Sequence, residues 1–477
     1  MKFIILIFFA VISLNADTNH NINGLFGEKA AGLGGAYTAV SDDPSGAYYN
    51  PAGLSFAYDN SISLSASNIT KTQKNYVNVL GPGQSYVRDS QNYIPNFFGI
   101  VKEYKKYKIA FSIVNTLNES FSRNDQVINP IYYPRVRSLR TYNLETYNQV
   151  QSGFSIARSI TDRISIGATL YYTFDTASIN NSFILQAADR SFQSATQSDT
   201  RTTIGFLPIF GIMYMPTEKL SFGVSVRRQL VTSENRLTNA FSTSSFTDSD
   251  SILFQEGTHS ANGGRVGNTL VILPKLNGRI PEVTETRVGF ALFPTKQFMF
   301  AFDIIQTSGY SRKQTQYDLI LAGGANNILR LYDSEIQELQ RNATTNFAGG
   351  IEYYLNDNFA IRLGSFTNNA NNKQISWLDS AIQAANREVS SSETIARTQN
   401  GQIQYTPGVL RDPVRNEYVN LMGGSIGFSW ATSKASLGLT VVKEWGRGQA
   451  QIDATRPIQQ LVYDSTAIYV IVSSKSN

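Results

Sequence analysis

The chain has 477 residues, of which 42% are hydrophobic, 12% aromatic and 16% charged, and its formal net charge is +5. Charge this far below the usual quarter excludes a disordered acidic or basic tail protein, and no basic stripe points to nucleic acid. Without cysteine there is no disulfide, thiolate zinc site or cysteine nucleophile, and His20 and His259 alone leave little room for histidine-based metal binding or acid–base catalysis.

Lys2 precedes an apolar run from Phe3 to Val11, which continues through Ile12 and Leu14 to Asn15-Ala16. A positive start, about a dozen apolar residues and a small final residue predict a secretory signal peptide over residues 1–16. No later run reaches the ~18 apolar residues that a spanning helix needs. If the exported chain sits in a membrane, it does so as strands.

Residues 17–59 show no alternation. They read Gly32-Leu33-Gly34-Gly35-Ala36-Tyr37, then Val40-Ser41-Asp42-Asp43-Pro44, then Asn50-Pro51-Ala52-Gly53-Leu54. The glycines lack the strand–turn–helix frame of a dinucleotide loop. Such small residues suit a chain pressed closely against another surface, and Asp42-Asp43-Pro44 and Asn50-Pro51 have turn or helix-start chemistry.

From residue 60 onward the pattern has period two. Ile164, Ile166, Ala168, Leu170, Tyr172 and Phe174 share one face, opposite Ser165, Gly167, Thr169, Tyr171 and Thr173. The same holds for Leu220–Val226, Phe298–Ile304, Phe347–Tyr353 and Leu437–Val441. Turns are expected near Lys102–Lys106, Ser159–Arg163, Pro216–Lys219, Pro294–Lys296, Asn356–Asn358 and Ala431–Lys434. Six hairpins with one strand before and one after give about 14 strands, an even number as single-chain bacterial barrels have. Between the short turns lie polar stretches over 69–92, 116–149, 175–206, 229–284, 307–344, 367–419 and 444–464, read as long loops. Short helices are expected at Asp333–Asn342 and Ser376–Arg387. Short turns on one side and long loops on the other mark an outer-membrane barrel over a soluble sandwich.

The linked fragments Gly32–Tyr37, Val40–Asp43 and Asn50–Leu54 resemble the amino-terminal region of the FadL-type outer-membrane transport family, which includes the aromatic-hydrocarbon porins. The resemblance implies an all-β transmembrane antiparallel barrel whose lumen is plugged by an N-terminal hatch, in the bacterial outer membrane. The division expected is residues 17–59 as hatch and 60–477 as barrel. It implies uptake of hydrophobic molecules, chiefly long-chain fatty acids, from an extracellular groove through an internal pocket and a gap in the wall. Asn50, Pro51 and Ala52 correspond to the hatch motif near that gap. The strand expected over Tyr107–Val114 carries no Gly or Pro of the sort that marks the family's inward kink.

Arg227, Arg287 and Arg362, on inward faces, are the candidate contacts for a ligand carboxylate. The partners expected are outer-membrane lipid and a hydrophobic small molecule such as a fatty acid. No cofactor and no catalytic residues are expected. The alternative is a barrel resembling the PorV type, which shares the amino-terminal motif and serves as a docking component of a secretion system.

Overall fold

A computed structural model describes residues 20–93, 95–131, 136–187, 192–245, 265–273, 282–323, 327–372, 397–399, 402–404, 417–450 and 458–476. The expected signal peptide, His259 and the helix expected over Ser376–Arg387 lie outside the described residues. No helix among those described is long and apolar enough to cross a membrane.

The first half of the chain forms β1 (Asn60–Gly81), β2 (Gln84–Tyr93), β3 (Phe97–Tyr104), β4 (Tyr107–Ile128), β5 (Val136–Ser159), β6 (Ile164–Ala187), β7 (Phe192–Thr217), β8 (Leu220–Arg228) and β9 (Leu230–Ser245). Then come β10 (Arg265–Leu273), β11 (Thr284–Leu292), β12 (Phe298–Thr307), β13 (Tyr310–Gly323), β14 (Asn327–Arg341), β15 (Thr344–Tyr354) and β16 (Phe359–Asn368). The short β17 (Arg397–Gln399), β18 (Gln402–Gln404) and β19 (Glu417–Tyr418) lead to β20 (Leu421–Ala431), β21 (Ala435–Ala450) and β22 (Gln459–Ser476).

Antiparallel ladders run from β1 to β3, β4, β5, β6, β7 and β8. They continue through β11, β12, β15, β16, β20, β21 and β22. β22 returns to β1, from Asn60↔Ser476 to Tyr76↔Leu461, and closes a 14-stranded barrel. Along these ladders closure leaves no open edge, the condition for strands to cross lipid; the β2 side of the second barrel strand is the exception.

Side-chain alternation sorts the faces. Ile166, Leu170, Phe210, Phe222, Val224, Phe302 and Leu439 are exposed on the outside, whereas Ser165, Thr169, Ser221, Ser225, Asp303 and Thr440 are buried inside. The six expected turns all join strands. Thr161, Thr217, Thr295, Asn356 and Thr432 each use a side-chain oxygen to accept a backbone N–H two residues on, which fixes these short reversals locally.

Two expectations are corrected. Most of the polar stretches read as loops are strand: β1 runs to Gly81, and β4–β7 are 22–26 residues long, well beyond a membrane's thickness. Above the bilayer neither face must be apolar, so the alternation vanishes while the ladder continues. Asp333–Asn342 is not a helix: residues through Arg341 belong to β14, paired with β13 from Tyr310↔Arg341. A short isolated helix has a costly nucleus, whereas extending an existing ladder satisfies each backbone group in turn.

Residues 20–59 contain α1 (Glu28–Gly32), α2 (Gly46–Tyr49) and the 3₁₀ turn Pro51–Phe56. They touch β5, β6 and β7 on one side of the ring and β16, β20 and β21 on the other, so this segment occupies the bore.

Candidate functional site: a filled bore with an unpaired seam

A largely irregular backbone inside a barrel needs partners for its amides, and the wall supplies them. Inward hydroxyls donate to hatch carbonyls: Ser165 to Ala52 (3.0 Å), Thr169 to Ala47 (2.8 Å), Ser221 to Ala39 (2.7 Å), Ser225 to Tyr49 (2.8 Å) and Ser425 to Gly32 (2.9 Å). On β12, Asp303 Oδ2 accepts from the Tyr37 N–H, the Thr38 N–H and the Thr38 hydroxyl. The wall is also shaved to fit. A Cβ on Gly167, Gly223, Gly289, Gly350 or Gly364 would run into hatch backbone at Pro51, Thr38, Ala39, Leu33 and Gly34 respectively. Gly34, at φ +65°, sits against the backbone of Ser365, where a side chain would be both strained and obstructed.

The three residues of the expected hatch motif lie at this contact. Asn50 Nδ2 donates to the carbonyls of Thr38 (2.8 Å) and Ile212 (3.2 Å), while its Oδ1 accepts the Ala52 N–H and starts the 3₁₀ turn. Pro51 and Ala52 pack on Gly167, and all three residues are buried.

The three arginines serve ion pairs. Glu285 Oε1 accepts from both Arg227 (2.6 Å) and Arg287 (2.5 Å), and their guanidiniums lie over the rings of Tyr48 (4.3 Å) and Tyr49 (5.2 Å). Arg362 bridges Glu28 of α1 (2.9 Å) and Glu352 of β15 (2.7 Å). Ser436 donates to the other oxygen of Glu28.

Within the hatch, Lys29 pairs with Asp42 at 2.5 Å, and the Tyr37 hydroxyl donates to Asp42 at 2.9 Å. Burial works to raise the Asp42 pKa, yet the Lys29 charge and these hydrogen bonds hold it below the ordinary carboxylate value. Burial works the other way on Lys29, and the Asp42 charge overrides it, so that pKa is raised. Asp43 is pushed up by burial and by Asp42 beside it.

The wall changes character where β3 meets β2. Pro95 has no N–H to give a ladder, and the second barrel strand breaks there. β3 pairs with β4 from Phe97↔Val114 to Tyr104↔Tyr107, but among the described residues no ladder joins β2 to the upper part of β4. Side chains bridge the interval instead. Asn92 donates to the Asn118 carbonyl and accepts the Ser120 N–H (3.0 Å), Arg123 donates to the Val87 carbonyl, and Tyr86 donates to Asp125 (3.2 Å).

Three neighbours step at this height. β1 has a bulge at Ser65/Ser67 and β4 one at Asn115/Leu117, flanking the break between β2 and β3. Odd-numbered residues face inward in the lower part of β1 and in β3, and even-numbered ones in the upper part of β1 and in β2. The discontinuity therefore lies one barrel strand before Tyr107–Val114. Its signal was Pro95 inside an otherwise strand-like run.

Behind the seam is a cavity of about 130 Å³. Its floor is Ile22–Phe26 of the hatch, and its far wall includes Phe366, Val442 and Tyr469. Asn92 and Asn96 border it from one bank of the seam, and Asn115–Glu119 from the other. Arg227, Arg287 and Arg362 do not line it.

A closed 14-stranded ring with an apolar outer band and a filled bore defines an outer-membrane transport barrel. A model of the family described as outer membrane protein transport protein (OMPP1/FadL/TodX) matches residues 24–378, and the chain belongs to this family. No curated sequence matches it. Among solved structures it is similar to the TodX deltaS2 mutant monoaromatic hydrocarbon channel (13% identity, 96% of this chain and 100% of that one, TM-score 0.59). It is also similar to the Ralstonia pickettii toluene transporter TbuX (13%, 96% and 100%, 0.56) and the P. putida toluene transporter TodX (13%, 95% and 98%, 0.56). At such identity the likeness is one of fold. The family is one of transport channels for hydrophobic compounds in the outer membrane.

Proposed function

We propose that this protein takes up hydrophobic compounds of about single-ring size, which rest in the lumen cavity and leave sideways at the lowest end of the β2–β4 seam, where the wall breaks at Pro95. The observation that carries the reading is that both banks of the seam are cavity wall. The bore below is filled, and Asn50, Pro51, Ala52 and the ion pairs of Arg227, Arg287 and Arg362 anchor that filling. An apolar solute gains little from a water-filled pore; a short passage from cavity to lipid keeps it out of water, at ~25 cal/mol per Å² of apolar surface.

Size argues for the smaller cargo. In volume alone, 130 Å³ is of the order of the ~150 Å³ that holds benzene, although here the lining mixes polar and apolar side chains, whereas a long-chain fatty acid would extend well beyond it. The monoaromatic cargo named for the TodX and TbuX channels agrees with this scale.

The test uses the absence of native cysteine. Asn92→Cys with Ser120→Cys, joined across the seam by a reducible cross-linker, is expected to stop toluene uptake into proteoliposomes, and reductant to restore it. Undiminished uptake by the cross-linked protein would reject the lateral route.

A further inference from the structure

We infer that the foot of β3, β4 and β5 is a docking surface for an anionic glycerophospholipid of the periplasmic leaflet, its headgroup held by Lys102, Lys105, Lys106 and Arg158. In barrels of this kind the short turns face the periplasm. Most of them carry little charge here: Glu218-Lys219, Lys296, Asp357 and Lys434 in four turns, and Asp162-Arg163 between β5 and β6. The β3–β4 reversal differs, with Lys102, Lys105, Lys106 and Lys108 close together. With Arg158 and Arg163 beside them, six cations stand against the three carboxylates of Asp59, Glu103 and Asp162. Asp59 and Glu103 (2.8 Å) are both taken by Lys108, the one lysine of the four that is buried. Lys102, Lys105 and Lys106 are exposed, and their ammonium groups have no ion pair among the described residues.

Their setting points to lipid over a soluble partner. Alternation puts Lys102 and Tyr104 on the outer face of β3 with Ile100, and Tyr107 on that of β4 with Ile109 and Ile113. Tyr104 pairs with Tyr107, and two residues higher Lys102 pairs with Ile109, which pairs with Ile156 of β5. Arg158 holds its guanidinium 5.4 Å from the centre of the Tyr107 ring and donates to its hydroxyl at 3.4 Å. The Lys105 ammonium lies 5.2 Å over the Tyr104 ring. Cations and exposed tyrosines thus form the lower margin of the lipid-facing apolar band, the level at which tyrosine settles in a bilayer. A lipid phosphate accepts from ammonium, guanidinium and phenol there, while its chains lie along Ile100, Ile109 and Ile156. The backbone gives a second observation. Lys105 has φ +58°, a conformation that Gly or Asn adopts cheaply in such a reversal and Lys does not. What the strain retains is an ammonium at the edge of the membrane.

Native mass spectrometry of the full-length protein in detergent micelles tests this, with dioleoylphosphatidylglycerol and dioleoylphosphatidylcholine added in equal amounts. The parent is expected to retain phosphatidylglycerol at least about tenfold over phosphatidylcholine. In Lys102→Gln/Lys105→Gln/Lys106→Gln that ratio falls toward one. Lys219→Gln/Lys296→Gln/Lys434→Gln removes as much charge from other turns and should keep the parent's ratio. Ratios within one variant do not depend on how much of it folds. Lys105→Gly relieves the strained backbone while deleting the ammonium, so its melting temperature should hold or rise as the ratio falls. A parent ratio of one, or an equal loss in the two triple variants, would overturn the inference. So would glycerol 3-phosphate competing as well as the intact lipid, since the apolar band would then contribute nothing. Retention of polyglutamate with no preference between the two lipids would overturn it too, and mark the patch as a protein-docking face.

Discussion

Asp303 Oδ2 receives both the backbone N–H of Thr38 at 2.9 Å and its hydroxyl at 2.7 Å, joining the hatch to a strand 265 residues later. The Tyr37 N–H adds a third bond at 3.0 Å. Asp303→Ala would leave these donors unmet in a site closed to water. It is expected to lower stability by about 3 kcal/mol, read from urea unfolding in lipid vesicles, and to make residues 20–59 cleavable by protease. Asp303→Asn keeps an acceptor and should lose less.

The inward glycines make a sharper steric test. Gly223→Val would drive a side chain into the Thr38 carbonyl. The expected result is a dislodged hatch and a higher conductance in planar bilayers. Gly424→Ala is the control, because a Cβ there meets nothing nearer than 3.8 Å. Equal conductance for the two variants would argue against the close fit.

Arg362→Met leaves the carboxylates of Glu28 and Glu352 buried without their shared guanidinium. Stripping one partner from such a group costs about 3–5 kcal/mol, and equilibrium unfolding should show a loss of this size. Removing the acids as well, in Arg362→Met/Glu28→Gln/Glu352→Gln, should recover part of it.

The Lys29–Asp42 pair implies a pH dependence with a definite sign. Because the folded pKa of Asp42 is lowered, its contribution is present above the unfolded value, about 3.9, and is lost as pH falls through the folded one. The melting temperature should therefore drop below about pH 4, and Asp42→Asn should flatten that part of the profile. Lys29→Met removes the partner that holds the Asp42 pKa down. That variant should be weakest near neutrality and lose less than the parent on acidification.

How much of this was legible in the sequence follows from where lipid imposes a rule. Phe298, Phe300, Phe302 and Ile304 must be apolar because they face hydrocarbon, so the period of two is plain and the turn at Pro294–Lys296 falls where expected. Above the bilayer the rule lapses, and Thr72–Tyr76 or Asn180–Ile184 read as loop although they are paired strand. The fragments Gly32–Tyr37 and Asn50–Leu54 stand out in the sequence because their glycines and Asn50 answer to backbone contacts at fixed spacing. The roles of Arg227, Arg287 and Arg362 depend on Glu285, Glu28 and Glu352, partners distant in sequence that no local pattern pairs with them. The contact of Asn96 with the Leu25 carbonyl was not legible either, because a lone asparagine after a proline looks like turn chemistry, and only the closed ring turns it toward the bore.

The hatch precedes β1 in the chain, and the barrel is completed by the ladder between β1 and β22. A body moulded to the backbones of β6, β8, β11, β15 and β16 cannot pass through the wall once the cylinder is whole, and reaches its seat then only by an open end. Wrapping the leading segment while staves are still being added, with the junction of first and last strands sealed afterwards, avoids that threading.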